Sequence, residues 1–304
     1  MRIFTADDVR RTVSMPAAID AVRAAFREVA AGNFVLPARQ IFGNGSVLVM
    51  SAYHSATGTA VVKKIGIKLD ELPAIRATVI YTGGGEQIIA DGISITTLRT
   101  GAVVGVATAL LAPADATRLA LLGTGAQAAD QVRAVLAVRP ITEVTVTGRD
   151  PSRAEELAAA LAGEFPAAKF TAGTSIDEGI AGADVICCAT SSSTPLFELD
   201  AVPARVHINA IGAFRPTMRE LPRSLLADAS LVVVDQREAA LEESGEIIDA
   251  VKAGAIAEAD LVELGHALDT LPETTGRTVL KSVGIGPQDW AIATALATGE
   301  LRSR

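Results

Sequence analysis

The stretch Arg118-Leu119-Ala120-Leu121-Leu122-Gly123-Thr124-Gly125-Ala126-Gln127-Ala128 constrains this chain more than any other. An apolar run passes directly into a glycine turn and then into an alanine-rich helical start. That order is how a strand feeds a helix through a phosphate-binding turn. Gly123 permits the tight turn, Gly125 lets backbone N–H groups approach a pyrophosphate, and a small residue at Ala128 allows close helix–strand packing. Phosphates are favoured on the N-terminus of a helix starting near Ala126, where N–H groups lack partners within the helix and the dipole attracts anions. Glycine-rich turns also occur in α/β proteins that bind no nucleotide. The flanking strand and helix, and the strand–helix units downstream, favour a dinucleotide held by Gly123, Thr124, Gly125, Ala126 and Gln127.

Beyond Pro113 the chain alternates between short apolar runs and helical patterns. Strands are expected near 118–122, 143–147, 168–171, 184–189, 206–211 and 231–235. Helices are expected near 126–138, 152–163, 175–181, 219–227 and 237–253. This alternation predicts an α/β fold with a Rossmann-type, doubly wound parallel sheet over 114–281. The earlier part reads differently. Thr5 and Asp8 can cap a short helix, and Ser14-Met15-Pro16 starts a second one that Gly32 closes. Apolar runs at 46–50, 60–67, 77–81 and 87–90, with Gly83-Gly84-Gly85 as a hairpin turn, predict a mainly antiparallel sheet. Thr96 to Leu111 reads as a helix of small residues. Residues 1–113, completed by 282–304, are expected to form a discontinuous α+β substrate and dimerisation domain. The run Thr278 to Gly284, followed by a helix from Gln288, reads as the return to it.

At 304 residues the chain is long enough for two domains, and 49% of its residues are apolar. A net charge of −8 with no basic patch argues against a nucleic-acid partner. Cys187 and Cys188 are adjacent in an apolar run and read as core residues, and the three histidines are not spaced with them as in a metal site. No metal is expected. The N-terminus shows no apolar leader, and the longest apolar stretch, 101–114, is short for a membrane span, so a soluble, cytoplasmic protein is expected.

Pro37-Ala38-Arg39, Val62-Lys63-Lys64-Ile65, Asp91-Gly92, Leu98-Arg99-Thr100, the glycine turn, His207-Ile208-Asn209-Ala210-Ile211-Gly212, Gly245-Glu246-Ile247 and Lys281-Ser282-Val283-Gly284 occur in an order and spacing that resemble the ornithine cyclodeaminase/mu-crystallin family over nearly the whole chain. The resemblance implies a homodimer whose subunits carry NAD(P) on a Rossmann domain and act at the α-carbon of amino acids or their imines. Ornithine cyclodeaminases carry a catalytic aspartate where this chain has Phe214, and Gly212-Ala213-Phe214-Arg215-Pro216 is similar instead to mu-crystallin and cyclic-imine reductases.

By the same resemblance, Arg39, Lys63 and Arg99 face the substrate. Guanidinium groups clamp a carboxylate with paired hydrogen bonds, so Arg39 is assigned mainly to that task, and Arg99 to substrate, cofactor or both. Lys63 sits in an apolar strand, where an ammonium is costly without a partner; it either holds the carboxylate or supplies the imine proton. The competing reading is a lysine on a half-exposed strand. Lys64, on the other face, reads as structural. Gly148 occupies the position where NAD-selective sites place an acidic residue. Arg149, with Ser152 or Arg153, could bind a 2′-phosphate, which predicts NADPH as the preferred cofactor and NADH as a possible one. Asp150 taking the acidic role is the alternative. Thr190, Asn209, Ala210 and Ile211 lie at strand ends where cofactors bind, and Ser282 is a contact for the nicotinamide carboxamide by resemblance. His207 reads as a core residue, and Glu246 and Asp289 as helix-orienting or capping residues.

The expected activity is reduction of a cyclic imino acid, Δ1-pyrroline-2-carboxylate to L-proline or Δ1-piperideine-2-carboxylate to L-pipecolate. The alternatives are an ornithine cyclodeaminase, an alanine-type dehydrogenase, and a non-catalytic, crystallin-like NADPH- or ligand-binding protein.

Overall fold

The computed structural model describes residues 1–67, 75–271 and 274–299. It divides into two compact units, Met1–Val103 with Ile285–Arg304, and Val104–Gly284.

In the first unit, β1 (Arg2–Phe4) leads into α1 (Ala6–Thr12) and α2 (Met15–Ala30). The capping box anticipated at Thr5 is present: its hydroxyl accepts from the Asp8 N–H, and its own N–H donates to Asp8 Oδ2 at 3.0 Å. α2 starts at the Ser14 cap with Pro16 in its first turn and buries Ala18, Ile19, Val22, Ala25 and Phe26. Gly32, at φ 73°, ends it. Then come β2 (Phe34–Val35), β3 (Gln40–Phe42), β4 (Val47–His54), β5 (Thr59–Ile67), β6 (Ile75–Gly83), β7 (Glu86–Asp91) and α3 (Gly92–Leu111). The sheet order is β1-β7-β6-β5-β4-β2, with β3 on β4; only β1–β7 is parallel. Along β5 burial alternates, so Val61 and Lys63 face inward and Val62 and Lys64 outward.

In the second unit, β8 (Arg118–Leu122), α4 (Ala128–Val138), β9 (Glu143–Thr147), α5 (Pro151–Glu164), β10 (Lys169–Ala172), α6 (Ile176–Ile180), β11 (Val185–Cys188) and β12 (Val206–Ala210) follow in turn. They are succeeded by α7 (Arg223–Asp228), β13 (Leu231–Val234), α8 (Arg237–Glu243), α9 (Gly245–Lys252), β14 (Leu261–Glu263), α10 (Leu264–Ala267) and β15 (Arg277–Lys281). The sheet runs β10-β9-β8-β11-β12-β15-β13-β14, and every pairing is parallel. The order reverses between β8 and β11, the switch point of a doubly wound Rossmann-type sheet. Ala120, Leu122, Ile186, Cys188, Ile208, Ala210, Val234 and Val279 belong to its core, as expected of strands covered on both faces.

Four details depart from the sequence expectations. The division falls inside α3, between Val103 and Val104, rather than at 113/114, because Pro113 marks only the end of one continuous helix; its return falls at 284/285 rather than 281/282. Residues 300–304 of the expected second segment lie outside the described residues. β15, absent from the strands expected for this sheet, inserts between β12 and β13. The helix expected at 237–253 is two helices. Ser244 ends α8 and caps α9, and a Cβ on Gly245 would stand 2.1 Å from the Met218 carbonyl oxygen. The helix expected from 219 starts at Arg223, since Pro222 disfavours helical geometry in the residue before it.

α3 is, among the described residues, the one helix long and apolar enough to cross a membrane by length and composition, and it exceeds the stretch seen in sequence. Of its most apolar window, 78% is buried within the protein, as suits a core helix that is apolar all round.

Candidate active site

The first unit carries a buried charge cluster. β5 places Lys63 inward at 1% exposure. α11 (Gly286–Thr298) begins after Ile285, and its first turns present Gln288 and Asp289, also buried. A Cβ on Gly286 would stand 2.9 Å from the Ser51 carbonyl oxygen, so glycine lets the helix start close against β4. Trp290 anchors the next position, its Nε1 donating to Thr59 Oγ1 at 2.8 Å. Asp289 is thereby aimed at β5. Lys63 Nζ lies 2.9 Å from Asp289 Oδ1 and 2.8 Å from Oδ2, and donates to Thr96 Oγ1 at 3.3 Å. Arg99 reaches the same carboxylate, with Nε 3.6 Å from Oδ1, and donates to Gln288 Oε1.

Burial pushes the Lys63 ammonium down to about 8. Asp289 opposes that fall, while the Arg99 and Arg39 charges add to it. The structure therefore gathers Arg39, Lys63 and Arg99 into one electrostatic environment, and Lys64 is exposed on the opposite face. Asp289 corrects its sequence reading. It is not a cap, because α11 takes Ile285 as its cap residue and the carboxylate is spent on two cations. Gln288 and Thr96 were not anticipated. The available signal was the lysine itself, since an inward-facing ammonium on a strand requires a counterion.

The second unit carries the glycine turn. Gly123 has φ 113°, and a Cβ there would stand 2.5 Å from the Ala189 carbonyl oxygen, so only glycine fits. A Cβ on Gly125 would meet nothing within 4 Å, which leaves the open backbone approach a pyrophosphate requires. Ala128 is fully buried, and α4 starts after Gln127 with no side-chain cap, so its first-turn N–H groups suit an anion. These features fit a dinucleotide at Gly123, Thr124, Gly125, Ala126 and Gln127.

At the end of β9, Gly148 supplies no carboxylate, and Arg149 is exposed. Asp150 caps α5, accepting from the Ser152 N–H at 3.1 Å and hydroxyl at 2.6 Å. Arg153 donates to the Thr124 carbonyl at 3.2 Å, tying this end to the glycine turn.

A buried carboxylate organises the ends of β11 and β12. Glu220 accepts from the Thr190 N–H at 2.6 Å and hydroxyl at 2.8 Å, and from the Gly212 and Ala213 N–H groups at 2.7 and 3.1 Å. Desolvation raises its pKa. Glu220 was not foreseen, because nothing local in sequence separates it from a surface glutamate. Glu246 does not cap α9, which Ser244 does. It accepts from the Glu220 N–H at 3.0 Å and pairs with Lys281 at 2.8 Å, both side chains being buried.

The Thr190 and Ser282 hydroxyls are engaged by protein: Ser282 donates to Asp235 at 2.8 Å. Asn209 turns its amide inward, donating to Thr108 Oγ1 at 3.1 Å and meeting His207 Nε2 at 3.1 Å, so its side chain is a core group, while Ala210 ends the strand and Ile211 follows it. His207 is fully buried, as its core reading implied, and burial lowers its pKa to about 4. Phe214 is 38% exposed, with the Arg215 guanidinium 5.4 Å from its ring centre.

A doubly wound sheet with this turn defines the class of dinucleotide-binding α/β proteins. The profile of the ornithine cyclodeaminase/mu-crystallin family matches residues 1–298, and the chain belongs to that family. A Δ1-pyrroline-2-carboxylate reductase of Bacillus cereus is 35% identical, over 96% of this chain and 94% of its own. The mouse (Mus musculus) ketimine reductase mu-crystallin is 32% identical, over 94% and 92%. The Thermococcus litoralis Δ1-pyrroline-2-carboxylate reductase, solved with NADH and L-proline, superposes with a TM-score of 0.90 at 26% identity, covering 99% of both chains.

Proposed function

We propose that this chain is an NAD(P)H-dependent reductase of cyclic ketimines, acting on Δ1-pyrroline-2-carboxylate to give L-proline, and also on Δ1-piperideine-2-carboxylate to give L-pipecolate. The observation that carries the proposal is the pairing of Lys63 and Arg99 with the buried Asp289 carboxylate, with the Arg39 charge acting on Lys63. Such a cluster suits a small anionic substrate that needs orientation and a proton. Arg39 and Arg99 hold the substrate carboxylate. Lys63, easier to deprotonate than an exposed lysine, gives its proton to the imine nitrogen, and solvent restores it. When bound, the reduced dinucleotide supplies the hydride taken up by the imine carbon. The names of the relatives support the same substrate.

NADPH is the preferred cofactor in this proposal. Gly148 in place of an acidic residue, and Arg149 beside it, support that preference. Thr190 and Ser282 meet the cofactor through the segments that their hydroxyl bonds hold in place, and Ala210 and Ile211 line it at the strand end.

The working form is a homodimer. Ile3, Ile89, Ile80 and Val62 form one cross-strand row on the first unit's sheet, and Ile3, Ile80 and Val62 are 64%, 43% and 38% exposed. An apolar row of this kind suits a second copy of the chain. A cyclodeaminase is disfavoured because Phe214 cannot exchange a proton. The test is product analysis: L-proline forms from Δ1-pyrroline-2-carboxylate and NADPH, and absence of proline with folded, NADPH-bound protein contradicts the proposal.

A further inference from the structure

We infer that Asp289 is a positioning residue for proton delivery: shared between Lys63 and Arg99, it aims the Lys63 ammonium and keeps a cationic partner after that ammonium gives up its proton. The inference rests on the reading of Lys63 as the proton source.

The geometry has two parts. Both Asp289 oxygens lie within 2.9 Å of Lys63 Nζ, which fixes the nitrogen against α11, and Thr96 Oγ1 on α3 accepts a further hydrogen from it. The same carboxylate lies 3.6 Å from Arg99 Nε, and Gln288, its chain neighbour, holds the other end of that guanidinium. A buried carboxylate left without a counterion is strongly destabilising. Were Lys63 the sole partner, each proton transfer would strand the Asp289 charge in the core. With Arg99 in contact, that charge stays paired throughout.

In the step itself, an N–H bond of the Lys63 ammonium breaks and a new N–H bond forms on the imine lone pair. Lysine is left neutral and the ring nitrogen carries the charge. Lysine then recovers a proton from water. The charged groups that act most on Lys63 are Asp289 from α11, Arg99 from α3 and Arg39 from the segment before β3.

The test is the pH profile of kcat/KM for imine reduction by the full-length enzyme, alongside thermal melts. Activity falls on the basic side as Lys63 loses its proton. Asp289 favours the protonated form, so Asp289→Asn moves that limb down by about 1–3 on the pH scale, and Asp289→Glu restores it. A residue that merely docks α11 on the sheet would lower the melting temperature and leave the limb in place. An unmoved limb in active Asp289→Asn overturns the inference. Should that variant not fold, Arg99→Gln decides. Removing a charge that disfavours the ammonium moves the limb up, and an unmoved limb there overturns the inference too. A wild type without turnover contradicts the reductase reading and this inference with it; an active wild type with unmoved variants contradicts this inference alone.

Discussion

Lys63 Nζ and Asp289 Oδ2 lie 2.8 Å apart, both buried, although 226 positions separate them in sequence. Removing one partner of such a pair leaves a buried charge, at a cost of about 3–5 kcal/mol. Arg99 softens that cost on one side only, since it can accompany Asp289 but not Lys63. Lys63→Met is therefore expected to fold. It should lower kcat/KM for the imine by about 10²- to 10⁴-fold through loss of proton delivery, with little change in the KM for NADPH. Steady-state kinetics with each substrate varied in turn check this.

The two turn glycines separate fold from cofactor binding. Gly123→Ala places a side chain at φ 113° and against the Ala189 carbonyl, so the melting temperature falls, with backbone strain alone of about 1–3 kcal/mol. Gly125→Ala meets no neighbouring atom and leaves the melt unchanged. It should still raise the KM for NADPH about tenfold or more, because the added methyl stands where a pyrophosphate approaches.

Arg149 tests cofactor choice. Arg149→Ala should weaken NADPH about tenfold, the loss of one charged hydrogen bond, and leave NADH unchanged. The ratio of kcat/KM values for the two cofactors reads this directly, and equal losses for both would remove the 2′-phosphate role.

His207 gives the fold an acid limit. It binds its proton near pH 4 when folded, held down by burial, against 6.5 in the unfolded chain. Between these values the unfolded state takes up the proton first. The contribution is therefore complete above pH 6.5 and is lost as pH falls toward 4, by about 3 kcal/mol. Denaturant midpoints across this range should fall with acid, and His207→Gln should flatten that part of the slope.

Local patterns made much of the architecture legible. The Thr5–Asp8 box, the Ser14 cap, the Gly83–Gly85 turn and the strand–helix rhythm after β8 depend on residues close in sequence. What escaped depends on partners far away. Asp289 read as a cap because its neighbours are helix-starting residues, whereas its role is set by Lys63 on a distant strand. Glu220 carries no local signal of its role, which appears only where the ends of β11 and β12 deliver three N–H groups to it. The place of β15 between β12 and β13 was not legible because strand order within a parallel sheet is not written in any one strand. Asn209 stands at a strand end, as expected, but Thr108 and His207 draw its amide inward.

The most direct measurement is the initial rate of NADPH oxidation with Δ1-pyrroline-2-carboxylate, run beside Δ1-piperideine-2-carboxylate and beside pyruvate with ammonia. The account predicts rapid oxidation with the cyclic imines, faster with NADPH than with NADH, and little with the open-chain pair. Oxidation only with pyruvate and ammonia, or none in protein that binds NADPH, would contradict it.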